Sequence, residues 1–192
     1  MGGCSLVGLV YIFIGFVIIQ RLVEVVIANQ NAKWMKKQGG YEAGEEHYKY
    51  IVALHAFFFV ALLIEVSSVQ TGGVKWSLIS LVVFLIAQIG RVWALSSLGR
   101  FWNTRIMILP GTKVVAKGPY RFMRHPNYVI VTLELFALPL IFQAYWTAIV
   151  FSLLNAVILR VRIKEEERAL KEATDYEEVF KEKGRFIPSY DE

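Results

Sequence analysis

Two charged clusters near the C-terminal end of the chain combine residue types that can bind an anion and steer a reaction. The first reads Lys117-Gly118-Pro119-Tyr120-Arg121-Phe122-Met123-Arg124-His125-Pro126-Asn127-Tyr128. Gly-Pro makes a turn, and Pro126 biases His125 toward extended backbone. Pro126 also suits the first turn of a helix that follows. His125 is therefore expected at a helix start, where free amides and the helix dipole favour an anionic group such as a carboxylate. The rings of Tyr120 and Tyr128 could flank a flat ring or a cation. A belt of Tyr, Arg and His anchors at a membrane boundary has a similar composition. The second cluster reads Arg160-Val161-Arg162-Ile163-Lys164-Glu165-Glu166-Glu167-Arg168-Ala169-Leu170. Arg162 and Glu166, four apart, share a helix face and offer a fork for a carboxylate or enolate beside a fixed negative charge. Taken alone, the run also reads as a solvated charged face.

The elements that must position these clusters are apolar helices. The chain has 192 residues, 56% of them hydrophobic, which a soluble domain of this length rarely carries. A bilayer core needs roughly 20 apolar residues per helix. Leu6 to Ala28, Ile51 to Val69 and Ser77 to Leu98 fit that length. The last apolar stretch, Tyr128 to about Leu159, would be about 48 Å long as one helix, too long for one span. Pro139 lies inside it and Gln143 follows, so two helices are expected, Tyr128 to Leu138 and Tyr145 to Arg162, joined as a hairpin. The opening Met1-Gly2-Gly3-Cys4-Ser5-Leu6 fits neither a myristoylation signal nor a lipoprotein signal, and the first apolar run is expected to stay as a membrane helix. The single cysteine, Cys4, allows no internal disulfide.

Loop charges set the expected orientation. Lys33, Lys36, Lys37 and Lys49 lie between the first two spans, and only Lys75 lies between the next two. Arg100, Arg105, Lys113, Lys117, Arg121 and Arg124 lie between the third span and the hairpin, whose tip has no Lys or Arg. The positive-inside rule puts the first and third loops and the basic tail in the cytoplasm, which requires an odd number of spans. The expectation is an all-α integral membrane protein of about five helices with its N-terminus outside. One domain, residues 1–192, then divides into three N-terminal spans (1–98) and a chemistry-bearing part (99–192). The net charge of +5 fits cytoplasmic loops and anionic headgroups, with no basic and aromatic surface of the kind that reads nucleic acid. In the hairpin Tyr128 and Arg162 come to one membrane face, so His125, Tyr128, Arg162 and Glu166 are expected to line one pocket.

Gly118-Pro119-Tyr120 followed after three residues by Arg124-His125-Pro126-Asn127-Tyr128 resembles the signature of the isoprenylcysteine carboxyl methyltransferase family and its phospholipid methyltransferase relatives. Arg162, then Glu166-Glu167 and Leu170, resembles that family's second signature. The resemblance covers Leu98 to Pro188 by motif. It implies a helical membrane fold with S-adenosyl-L-methionine held by the cytoplasmic connector and the helix after the hairpin, and a lipophilic substrate arriving laterally from the membrane lipids. It implies cofactor contacts at Thr112, Lys113, Val114, Val115, Tyr120, His125, Pro126, Asn127, Tyr128 and Glu166. It further implies a substrate-orienting role for Arg162 and places Glu166 at the reaction centre. Arg105, in Phe101-Trp102-Asn103-Thr104-Arg105, lies in a family-like segment that could touch substrate or cofactor. Thr174 to Phe180 is about one residue shorter than the family's pattern, and Lys183-Gly184 stands where Val-Pro is usual. The N-terminal half, with Gln20-Arg21-Leu22-Val23-Glu24 and His47-Tyr48, is similar to small bacterial members, some of which methylate long-chain alkylpyrones or phenolic lipids.

Methyl transfer from a sulfonium has a good neutral leaving group, so alignment and exclusion of water are the main tasks. Arg162 is expected to hold the acceptor's oxygen anion, with Glu166 positioning the cofactor's charged end or orienting Arg162. His125 would bind the cofactor carboxylate or act as base toward a phenol. Glu65 and His55, at opposite ends of the second span, are expected in interfacial or interhelical roles, and Arg91 either faces the protein or snorkels. Scattered histidines and one cysteine give no metal-site spacing. The alternatives are N- or S-methylation within the superfamily, a nicotinamide-dependent enzyme akin to membrane sterol reductases, and a non-catalytic scaffold.

Overall fold

The computed structural model describes residues 2–69 and 76–188, with side chains from residue 7 onward. Lys75, the basic residue of the second loop, and the side chains of Cys4 and Leu6 lie outside the described residues. Six helices follow in order: α1 (Gly2–Lys37), α2 (Glu45–Val69), α3 (Leu78–Leu98), α4 (Pro126–Ile141), α5 (Tyr145–Ala173) and the single turn α6 (Tyr176–Val179). Four of them contain stretches long and apolar enough to cross a membrane, namely Val7–Lys37, Glu45–Val69, Leu78–Phe101 and Tyr145–Ala173. Their outward faces carry large exposed apolar side chains such as Ile12, Phe16, Phe57, Ile64 and Ile89, a surface that water would penalise and lipid accepts.

The fifth expected helix, α4, has 16 residues and is about 24 Å long. It is shorter than the four membrane-length helices. Ser77 N at the start of α3 donates to Ile141 O at the end of α4, 3.0 Å away. Glu65, near the end of α2, accepts from the amides of Trp146 and Thr147 at 3.0 and 2.7 Å and from Thr147 Oγ1 at 2.6 Å. The carboxylate thus satisfies the free amides at the start of α5. Pro139 sits in the last turn of α4 instead of just beyond its end, and the helix runs on to Ile141. The turn is closed by Gln143 at φ 62° and by Ala144 N donating to Pro139 O at 3.0 Å.

Helices also begin earlier or end later than expected, α2 starting at Glu45 and not Ile51, and two ends are extended for one reason: helices continue where they find packing outside the apolar layer. The first helix runs nine residues beyond Ala28, because Ala32 and Met35 pack on Met107 and Asn31 Nδ2 donates to Trp102 O at 2.8 Å. The last long helix does not stop at Arg162 but carries Glu166 and Glu167 on the same rigid rod to Ala173. The described residues are mostly helical, as expected, with one short strand pair between them. Tyr41–Ala43 (β1) pairs antiparallel with Ile106–Ile108 (β2), with Tyr41 opposite Ile108 and Ala43 opposite Ile106. Three buried residues in β2 are enough to fix this ladder between the first loop and the connector, and three-residue strands leave no readable periodicity. The main core joins α1 to α5 through Ile14, Phe58, Phe84, Ile141 and Phe151.

The connector between α3 and α4 is irregular but pinned. Gly118, at φ 59°, opens a 3₁₀ turn over Gly118–Arg121. A Cβ there would overlap Ser97 Oγ and stand 2.9 Å from Ser97 Cβ. Gly118→Ala is therefore expected to destabilise the protein by more than the roughly 1–2 kcal/mol that the left-handed backbone alone costs. Detergent-phase thermal unfolding with and without the substitution reads this directly.

Candidate active site

The start of α4 and the charged extension of α5 face each other across a cavity of about 550 Å³. Tyr128 sits at their junction. Its hydroxyl donates to Glu166 Oε2 at 2.5 Å and accepts from Arg162 Nε at 3.0 Å. Arg162 and Glu166, one turn apart on α5, thus communicate through a phenol on α4. Arg162 Nη2 also donates to Thr104 O at 2.6 Å, which leaves Nη1 with no hydrogen-bond partner among the described residues. A guanidinium held at two positions with one nitrogen free is pre-oriented to receive an oxygen anion.

His125 occupies the position ahead of α4, with Pro126 as the first helical residue. Its ring stacks on Tyr128 with centroids 5.3 Å apart. Nε2 lies 3.0 Å from Glu167 Oε1, and Nδ1 lies 3.8 Å from Glu166 Oε2. Glu167 is the partner that spacing alone did not single out. It points away from Glu166, toward the tail, and binds Arg185 through two contacts of 2.8 and 2.6 Å. The backbone completes this closure. Arg124 N donates to Gly184 O at 3.0 Å, His125 N donates to Arg185 O at 3.1 Å, and Arg124 Nε donates to Lys183 O at 2.6 Å. The tail packs against the site although Lys183-Gly184 departs from the family's pattern, because these bonds use backbone carbonyls that any residue supplies.

Most of the sequence-derived candidates meet here. Thr112, Lys113, Val114, Val115, Tyr120, His125, Asn127, Tyr128, Arg162 and Glu166 all line the cavity. Pro126 does not; it is buried in the first turn of α4 and acts on backbone geometry. Val114 N is held by Asp175 Oδ1 at 2.8 Å, which ties the extended Thr112–Val115 segment to the turn before α6. Burial, with Glu166 nearby, pushes the Tyr120 phenol well above its ordinary pKa, so its hydroxyl stays protonated. Arg105 lines the cavity but is paired with Glu42 at 2.8 Å and lies 4.1 Å over the Tyr48 ring, so it also clamps β1 to the connector. Tyr48 and Thr104 were not singled out by the sequence. They enter because β pairing brings the first loop onto the connector.

Deeper in the bundle lies a second polar group that also reaches the cavity. Arg91 Nε donates to Glu134 Oε1 at 2.7 Å, Nη2 bonds Glu134 Oε2, and Nη1 donates to Glu24 Oε2 at 3.0 Å. Arg21 bridges the same two carboxylates at 2.7 and 3.0 Å. Gln88 Nε2 donates to Glu134 Oε1 at 2.7 Å. Arg91 therefore faces the protein, and two guanidiniums balance two carboxylates across α1, α3 and α4. Glu134 carried no signal in an otherwise apolar run. No cluster of metal-binding residues occurs among the described residues.

An apolar helical bundle with a cavity lined by the connector and by a helix that leaves the apolar layer fits an integral membrane protein. A family model described as the isoprenylcysteine carboxyl methyltransferase (ICMT) family matches residues 78–172. The chain belongs to this family of membrane methyltransferases. It is 47% identical over 162 residues to the uncharacterized protein YpbQ of Bacillus subtilis (strain 168), which covers 84% of this chain and 96% of that one. It is also 28% identical over 151 residues to an uncharacterized protein of Haemophilus influenzae (strain ATCC 51907 / DSM 11121 / KW20 / Rd), covering 78% and 88%.

Proposed function

We propose that the protein is an S-adenosyl-L-methionine-dependent O-methyltransferase for a lipophilic acceptor. That acceptor is a long-chain alkylpyrone or phenolic-lipid hydroxyl, or an isoprenylcysteine-type carboxylate. The observation that carries this reading is the Tyr128 hydroxyl bridging Arg162 and Glu166 inside the cavity, which joins the two family signatures in one wall.

The residues present suit the cofactor. Asn127 Oδ1 is buried with no hydrogen-bond partner among the described residues, and a ligand donor would satisfy it. Glu166 presents a partly exposed carboxylate that suits a cation, and His125 can meet a carboxylate. Thr112 to Val115, Tyr120, His125, Asn127, Tyr128 and Glu166 would hold the cofactor. When bound, it supplies an electrophilic methyl group on a sulfonium. Arg162 then holds the acceptor oxygen as an anion through its free Nη1. Tyr128 fixes the guanidinium plane, and Glu166 fixes Tyr128. An acidic enol or a carboxylate is anionic without a strong base, and excluding water strengthens each of these contacts. The acceptor arrives from the membrane side of the cavity. The basic connector and tail support a cytoplasmic site with the N-terminus outside, in a bacterial cell membrane.

Calorimetry of S-adenosyl-L-methionine against detergent-purified protein tests the reading, with His125→Ala as control. Micromolar binding that is weakened at least about tenfold by the substitution is the expected result, a change worth about 1.4 kcal/mol. Failure of the well-folded protein to bind it, with a nicotinamide cofactor binding instead, would move the protein to reductase chemistry. Failure to bind either would leave a scaffold.

A further inference from the structure

We infer that the membrane-side end of the cavity is a second polar subsite, in which His55 Nε2 accepts a hydrogen bond from a hydroxyl that the lipid acceptor carries some distance from its methylated oxygen; this rests on the methyl-transfer reading above. His55 lines the cavity from α2. Its Nδ1 lies 2.8 Å from Ile51 O. A carbonyl only accepts, so the ring hydrogen sits on Nδ1, and in the neutral ring Nε2 is an acceptor. Nothing among the described residues donates to it. Nε2 is thus an unpaired acceptor on a half-buried, cavity-lining residue inside an apolar span, and such residues commonly meet a ligand.

The charged groups facing His55 are already engaged with one another. Arg21, Arg91 and Glu134 act on the ring through their charges from α1, α3 and α4, and Glu24 completes the balanced quartet. A ligand carrying net charge would disturb that balance, whereas a neutral hydroxyl would not. The free acceptor on His55 selects a donor, which again specifies a hydroxyl and excludes a ketone or ether.

The rise along α2 gives the distance between the subsites, and the rise along α4 to the charged quartet is similar. On α2, Tyr48 marks the level of Arg162, because its hydroxyl lies 3.2 Å from Thr104 Oγ1 and Thr104 O binds Arg162. His55 is two turns further along the same face, about 10 Å deeper. On α4, Glu134 lies about 9 Å beyond Tyr128 by helix rise. Between these levels α2 and α4 line the cavity with the apolar Val52 and Val131. The acceptor this describes has a methylatable oxygen, an apolar stretch of about 10 Å and then a hydroxyl.

Two alkylphenols of equal chain length test the inference, one with a chain hydroxyl about 10 Å from the phenol and one without. Their Kd values are measured by calorimetry on the full chain in lipid nanodiscs. The wild type is expected to bind the hydroxylated probe about five- to tenfold more tightly. The preference should vanish in His55→Leu and survive in part in His55→Gln, whose side-chain carbonyl still accepts. His55→Phe replaces the Leu variant if that one fails to fold. Equal binding of both probes by the wild type, binding of neither, or a preference that persists without His55 overturns the inference. Transfer of labelled methyl to the same probes is read separately. A preference without transfer upholds the subsite and counts against the methyltransferase reading; transfer without a preference does the reverse.

Discussion

Arg162→Ala should lower methyl transfer by about 10²–10³-fold while S-adenosyl-L-methionine still binds, because losing one positioned donor to a reacting oxygen typically costs that much. The physical reason is local. Arg162 is held by Tyr128 OH and Thr104 O, and its remaining nitrogen is open to the cavity. Arg162→Lys keeps the charge but loses the planar fork, so it should recover only a small part of the rate. Tyr128→Phe removes both the link to Glu166 and the acceptor of Arg162 Nε, but keeps the guanidinium and its bond to Thr104 O, and should have a smaller effect on the rate at saturation. Kinetics over both substrates, with calorimetry for the cofactor, separate these outcomes. Loss of cofactor binding together with turnover in Arg162→Ala would show that Arg162 builds the cofactor pocket instead.

The second large effect is on stability. Glu134→Ala removes the carboxylate shared by Arg91, Arg21 and Gln88 and leaves two guanidiniums facing one glutamate. Breaking a buried pair in this way costs about 3–5 kcal/mol. The double change Arg91→Met with Glu134→Leu leaves Arg21 paired with Glu24, so it should recover most of that loss. Reversible unfolding in mixed micelles reads both proteins on one scale. A double variant as unstable as the single would mean that packing around Arg91, not charge balance, holds α1, α3 and α4 together.

Much of this site was legible because its motifs are local. Gly118-Pro119 and His125-Pro126 specify backbone before any tertiary contact forms, and Arg162 to Glu166 is one helical turn. The hairpin then follows from a proline and an apolar run too long for one span. It brings Tyr128 to Arg162. What escaped are partners set by tertiary pairing. Thr104 and Tyr48 meet Arg162 and Arg105 only because three residues of β1 find three of β2. Glu167 looked like its neighbours in a charge run until the tail covered it. Glu134 sits among Leu and Phe, where an apolar window average hides a single carboxylate. Helix ends were misplaced for a related reason, since hydropathy marks where a helix leaves the apolar layer and not where it stops.

The carbonyls of Gly184 and Arg185 hold Arg124 and His125, and Arg185 holds Glu167. These are among the last described residues to leave the ribosome, whereas the helices they close upon are made and inserted earlier. During synthesis the chain therefore passes through a state in which the bundle is lodged in the membrane but its chemical end is unfastened. Competence is conferred only once Gly184 and Arg185 have been made. A nascent chain stalled before residue 184 would be a membrane protein in every respect but this one.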